Sequence, residues 1–214
     1  MTPQAALDRG LAELALELPA TARGQLLRYI ALLVKWNQTY NLTAVRDPLA
    51  MVSHHLLDSL AVLPHLPISQ APAALADAGS GAGLPGIPLA IARPSWRIVL
   101  AESNQKKAAF LRQVLIELAL TNADVHEGRV ATWRPADRFA LVISRAFADL
   151  AGFAAACRHL LAPAGVLAAM KGVHPRDELA QVADWQCSVI ALRVPFLQAQ
   201  RHLVLCRPRA PAAD

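Results

Sequence analysis

The stretch Asp77-Ala78-Gly79-Ser80-Gly81-Ala82-Gly83-Leu84-Pro85-Gly86 decides how this chain is to be read. Before it, Ala73-Ala74-Leu75-Ala76 reads as a buried strand; after it, Ile87-Pro88-Leu89-Ala90-Ile91-Ala92-Arg93-Pro94 reads as a helix stopped by its proline. A strand, a glycine-rich loop and a helix, in that order, put backbone N–H groups at a strand's carboxyl end. That is where open α/β sheets hold ligands.

Two ligands fit the loop. Gly81-Ala82-Gly83-Leu84-Pro85-Gly86 satisfies Gly-x-Gly-x-x-Gly, with the acid Glu102 about twenty residues on, as in dinucleotide-binding folds. On that reading the chain is an NAD(P)-dependent oxidoreductase. Asp77, however, stands where dinucleotide strands usually carry an apolar residue, and Asp77-x-Gly79-x-Gly81-x-Gly83 is the pattern of S-adenosylmethionine-dependent methyltransferases. A carboxylate there repels a pyrophosphate and suits the ammonium of S-adenosylmethionine. Glycines let backbone approach the methionine portion, and Glu102, ending the next strand, can accept ribose hydroxyls in either case. Asp77, Gly79, Gly81, Gly83 and Glu102 are therefore the expected cofactor-binding set.

Downstream, short apolar runs alternate with helices. Residues 97–103 give a second strand, 106–120 an amphipathic helix, 124–130 a third strand, 139–146 a fourth, 150–163 a helix and 165–172 a fifth strand. This alternation implies a parallel sheet covered on both faces. Residues 188–196 and 201–208 have no room for a helix between them, so they pair as an antiparallel hairpin. The fold class expected is α/β, a Rossmann-like class I methyltransferase sheet ending in an antiparallel hairpin.

Upstream, residues 1–68 read as a helical extension to a methyltransferase domain at 69–214. Leu11, Leu14, Ala15 and Leu18 form one stripe that stops at Pro19, and Leu26, Leu27, Ile30, Leu33 and Val34 a second, with Thr21 the expected cap. Asn37 to Thr43 is a polar break, and a third helix runs from about Pro48 to Leu63. Residues 67–72 read as a linker.

Composition sets the outer limits. Of 214 residues 55% are hydrophobic and 17% charged, which describes a packed globule and not a disordered chain. A net charge of +5 and a pI near 9.6 favour a polyanionic partner. Cys157, Cys187 and Cys206 are far apart and odd in number, so buried thiols in a reducing compartment are expected, with neither disulfide framework nor zinc site. The amino-terminal residues mix Asp8, Arg9, Glu13 and Glu17 with Ala and Leu, unlike a signal peptide, and no apolar run is long enough for a bilayer. By elimination the chain belongs in the cytoplasm.

Several cations fall at strand ends or at a helix start. Arg145 follows the fourth strand, beside the position of methyl acceptors in this fold, and is the expected catalytic residue as well as a cofactor contact. Arg129, Lys171, Lys106 and Lys107 are candidates for phosphate, and Asn41, in a polar loop with Tyr40, for RNA. His54, His55 and Asp58 share a helix. With no third ligand in view, they are expected to pack the helical extension against the core and not to bind metal. No Ser-His-Asp arrangement or metal cluster is evident.

At larger scale the sequence closely resembles one family, the RsmG proteins, also called glucose-inhibited division protein B. The resemblance runs from about Leu26 to Arg207 and rests on KWNQTYNLTAVRDP, HHLLDSL, DAGSGAGLPGIPLAI, ESNQKKAAFLRQV, GRVATW, ISRAFADL and MKG. It implies transfer of methyl from S-adenosylmethionine to N7 of one guanine in 16S ribosomal RNA, within the small subunit or an assembly intermediate, by a protein expected to be monomeric. The resemblance further implies donor contacts at Gly79, Leu84, Val130, Ala131 and Arg145, with Glu102 at the family's acidic position. Ala131 stands where many members carry glutamate, so contacts there must come from backbone.

Overall fold

In the computed structural model, which describes residues 1–68, 73–145 and 147–209, seven strands form one sheet. They are β1 Ala74–Ala78, β2 Arg97–Glu102, β3 Ala123–Glu127, β4 Phe139–Ser144, β5 Leu161–Lys171, β6 Trp185–Leu192 and β7 Arg201–Pro208. Across the sheet they run β3-β2-β1-β4-β5-β7-β6, with β1 to β5 parallel and β7 antiparallel to both β5 and β6. This is the class I methyltransferase sheet. Strand order reverses at β1 and β4, whose chains leave in opposite directions, and the crevice beyond their carboxyl ends is the natural ligand site.

Alternating side chains on the buried strands serve two helical layers. On one face Leu75, Ile98, Leu100, Leu141, Ile143 and Leu203 join a single apolar cluster with the amino-terminal helices. Those helices are α1 Pro3–Glu13, α2 Ala20–Tyr40, α3 Pro48–Met51 and α4 Asp58–Leu60, with a π-helical turn, Val52–Leu57, linking the last two. Here too lie α5 Gly86–Ala92 and α6 Gln105–Glu117. On the other face Ala76, Val142, Leu167 and Val204 meet α7 Leu150–Cys157, and α8 Arg176–Ala180 lies beyond β5. The helical extension is thus one layer of the core.

Several boundaries differ from the sequence expectation. The first helix ends at Glu13, not at Pro19: Ala15 takes a left-handed φ of 53°, and Leu16 N–H closes onto Leu11 C=O. Thr21 does not cap α2, which starts from Pro19 without a side-chain cap and continues through the polar break to Tyr40. Asn41, left-handed at φ 49°, ends it. β3 stops at Glu127, so Arg129 lies beyond the strand, and β5 starts at Leu161, where a helix was expected. β6 begins at Trp185, three residues before the expected hairpin arm. Part of the expected linker, residues 69–72, lies outside the described residues.

The thiol expectation is also corrected. Cys157 is buried and free, but Cys187 and Cys206 form a disulfide. Their separation of 19 in sequence conceals that the hairpin register sets them directly opposite on β6 and β7. No described helix is long and apolar enough to cross a membrane.

Candidate functional site

The crevice floor is built from two buried acids that hold the glycine loop. Asp77, on β1, is fully buried; its Oδ2 accepts Ser80 Oγ–H at 2.6 Å and Gly86 N–H at 2.9 Å. Those bonds close the loop from its first turn to the start of α5. Asp77 Oδ1 has no hydrogen-bond partner, and burial pushes the carboxyl up to about 6. The carboxylate therefore lies beneath the loop, not open beside it, and it shapes the site through backbone. Glu102, ending β2, accepts Gly81 N–H and Asn104 N–H, each at 2.8 Å. It ties the loop to the start of α6 while each oxygen keeps a further lone pair for a ligand hydroxyl.

The glycines divide by role. Gly79 and Gly81 have φ of 71° and 62°, and a Cβ would meet nothing at Gly79 and only a carbonyl at 3.8 Å at Gly81, so the space above both is open. At Gly83 a Cβ would run into Ile87 and Leu111, and at Gly86 into Leu100 and Asp77. Those two serve packing. Leu84 is 3% exposed and contributes to the loop's underside. From the helical layer Tyr29, fully buried on α2, donates its hydroxyl to Ala82 C=O at 2.6 Å and pins the loop's far side.

Above the loop is a pocket of about 240 Å³ lined by Gly79, Ala101, Ser103, Gly128, Arg129, Val130, Ala131, Phe147 and Ala156. Gly79 and the Val130-Ala131 pair, distant in sequence, thus share one cavity. Val130, Ala131 and Thr132 form a short 3-10 turn backed by Trp133, which stacks on His126 with ring centroids 4.3 Å apart. The walls are largely apolar, with an acid, Glu102, at the adjoining loop. That combination suits a nucleoside whose ring is held by packing and whose sugar is held by hydrogen bonds.

Arg145 leaves β4 toward the helical layer. Its Nη1 donates to His54 C=O at 3.1 Å and to Asp58 Oδ2 at 3.4 Å, and its charge acts on Asp77, Tyr29 and His55. Arg201, from β7, donates Nε–H to Asp58 Oδ1 at 3.0 Å. Arg201 is not singled out by the sequence, and Asp58 is singled out there only as a packing residue. The signal for Asp58 was an acid on the apolar face of a helix. Asp58 lies at the junction with the core as expected, but as an ion-pair partner; His55 is hydrogen-bonded to Thr43 instead. Among the described residues no group of three or more His, Cys, Asp or Glu is placed to hold a metal.

The remaining cations separate. Arg129 and Lys106 are exposed, and Lys107 is half-buried behind Asn104, whose side chain caps α6 by accepting Lys106 and Lys107 N–H. Lys171 is already engaged: its ammonium pairs with Glu178 at 2.8 Å and donates to Ala148 C=O, with 11% of the side chain exposed. It is therefore no free cation at the crevice. Asn41 is exposed at the end of α2, next to Tyr40.

Comparison with known proteins gives the family. The family model described as rRNA small subunit methyltransferase G, GidB, matches residues 22–204. The chain belongs to this family. Members bearing the name ribosomal RNA small subunit methyltransferase G include that of Nitrosospira multiformis, 50% identical over 216 residues, covering 97% of this chain and 98% of that one. That of Burkholderia pseudomallei is 50% identical, covering 95% and 90%. Among solved structures, DhpI in complex with SAH aligns with a TM-score of 0.54 at 16% identity, over 87% of this chain and 96% of that one. MtNAS in complex with MTA and tNA gives 0.58 at 13% identity, over 85% and 71%. At such identities the likeness concerns the fold alone.

Proposed function

We propose that the protein is an S-adenosylmethionine-dependent ribosomal RNA methyltransferase, and that it methylates N7 of one guanine in 16S ribosomal RNA of the small subunit or of an assembly intermediate. Family membership supports the ribosomal RNA methyltransferase reading. The observation that carries the donor is the juxtaposition of Gly79, Val130 and Ala131 in one apolar pocket beside Glu102. A cation above the open glycines would also compensate the buried, unpartnered Asp77 Oδ1. The residues fit the donor.

In this reading Glu102 accepts the ribose hydroxyls while Phe147 and the Val130-Ala131 turn enclose the adenine, Ala131 through its backbone. Asp77 acts indirectly, holding the loop through Ser80 and Gly86. The donor supplies a methyl group on a sulfonium centre. Guanine N7 offers a lone pair and no proton, so no residue has to remove one. What remains for the chain is to align the acceptor and place charge around it, and Arg145, at the carboxyl end of β4, is suited to guanine O6 or an adjacent phosphate. Arg129, Lys106 and Lys107, with Asn41, supply the RNA face; Lys171, spent on Glu178, is left out of it. Residues 1–68 act as an extension of the 69–214 domain, and the protein works as a monomer in the cytoplasm.

Calorimetry separates this reading from the oxidoreductase one. S-adenosylmethionine should bind and NAD(P)H should not; the reverse result would restore the dinucleotide reading of the loop. A compact chain with a small contact area should also prefer assembled subunits to protein-free 16S RNA. Equal methylation of the two would refute that preference.

A further inference from the structure

Arg145 does not rest on solvent. The π-helical turn Val52–Leu57 shifts the helical hydrogen bonds, so that Asp58 N–H bonds to the carbonyls of Ser53 and His55 and passes over His54. It is the His54 carbonyl that receives Arg145 Nη1, at 3.1 Å. One residue beyond the π-turn Asp58, 2% exposed, turns Oδ2 to Arg145 and Oδ1 to Arg201. The two arginines come from strands on either side of β5, yet share one carboxylate delivered by the helical layer. Their side chains keep 28% and 23% of their exposure, whereas the Asp58 side chain keeps 3%. The buried charge of Asp58 is thus matched by two partly exposed cations, leaving the cluster one net positive charge and further guanidinium N–H donors.

We infer that Asp58, together with the π-turn before it, is a positioning residue for methyl transfer: it fixes Arg145 in the orientation that the reaction uses, with Arg201 bracing the carboxylate from the far side. The inference rests on the proposed role of Arg145 and adds what holds it. A guanidinium tethered at two points loses little further freedom when it meets guanine or phosphate, and a misplacement of about 1 Å costs on the order of a hundredfold in rate. An ordinary α-helical turn would pair Asp58 N–H with the His54 carbonyl, whereas the π-turn leaves that carbonyl to Arg145.

The test is a double-mutant cycle on the full chain, read by donor titration and by transfer of labelled methyl to small subunits lacking their own modifications. Asp58→Asn keeps the shape and removes the charge, and should lower kcat about 10- to 100-fold at temperatures where circular dichroism shows it folded. In the Arg145→Ala background the same substitution should add less than about twofold, because its effect passes through Arg145. Should Asp58→Asn fold poorly, Arg201→Gln removes the outer brace from a partly exposed position and should give a smaller loss, also non-additive with Arg145→Ala. Wild-type transfer and donor affinity in a folded Asp58→Asn or Arg201→Gln, with Arg145→Ala impaired, would overturn the inference alone. Multiplying effects, which mark a merely structural role, would do the same. An unimpaired Arg145→Ala would overturn both the inference and the role of Arg145 on which it stands.

Discussion

Asp77 meets no solvent, takes two loop hydrogen bonds on one oxygen and none on the other, and titrates near 6 because burial penalises its charge. A bound cation favours the ionised form, so donor affinity should rise with pH through about 6 and level off above it. The slope below pH 6 should be at most about tenfold per unit. Calorimetric titration between pH 5 and 7.5 checks this, with Asp77→Asn expected to weaken binding and flatten the profile. Packing at the loop makes a second prediction. Gly86→Ala forces a Cβ into Leu100 and Asp77, whereas Gly81→Ala meets open space and bears only its φ of 62°. Overpacking costs about 1–3 kcal/mol and a left-handed alanine about 1–2 kcal/mol. Gly86→Ala should therefore melt lower than Gly81→Ala and lose donor binding; the opposite order would contradict the assignment. At this scale the two acids were legible, because carboxylates at consecutive strand ends stand out in apolar runs. Their bonds to loop amides were not legible, since a sequence does not say which way a buried oxygen turns. Asp58 and Arg201 are 143 residues apart, and nothing local joins them.

Among the elements, the strands read cleanly because a buried parallel sheet leaves runs of Leu, Val, Ile and Ala bounded by turns. Helix ends read less well. α1 stops on a left-handed alanine, a choice made by packing and not by propensity, and α2 carries its polar residues Asn37 and Tyr40 within the helix. The π-turn was invisible, since one register shift leaves the apolar spacing of a helix nearly unchanged. Buried His55 also makes the junction between helical layer and core sensitive to pH. Burial lowers His55 to about 4, so the folded state holds it neutral against Thr43. Stability from this group is full above the ordinary value of 6.5 and is lost as pH falls through about 4. Asp77, raised from 3.8 to about 6, acts in the opposite sense: its contribution is full below 3.8 and is lost as pH rises through about 6. The two act in opposite senses across overlapping windows. His55→Gln should therefore make the protein relatively more stable toward pH 4 than toward pH 7, and Asp77→Asn should expose the His55 acid lability. Melting midpoints across pH 4 to 7 that move alike in both variants would contradict this pairing.

At the scale of the molecule, the described residues form one sheet, two helical layers and a crevice whose floor is braced from both sequence halves. Tyr29 from α2 pins Ala82, Gln25 donates to Leu118 C=O, and Asp58 holds Arg145 and Arg201. The sequence does mark residues 1–68 as helical. That these helices share the sheet's own apolar cluster follows only from the fold, since amphipathic stripes do not name their partner. Residues 69–214 alone should therefore expose the apolar surface that the amino-terminal helices cover, and be recovered aggregated or without fixed tertiary packing. A soluble fragment with a cooperative melt would show the helices to be an appendage. Methyl transfer itself is tested most directly with labelled S-adenosylmethionine and small subunits lacking their native modifications. The wild-type protein should place label on N7 of one guanine of 16S RNA, and Arg145→Ala, with its melt unchanged, should place almost none. Donor bound but no methyl passed to the RNA would contradict a ribosomal RNA methyltransferase.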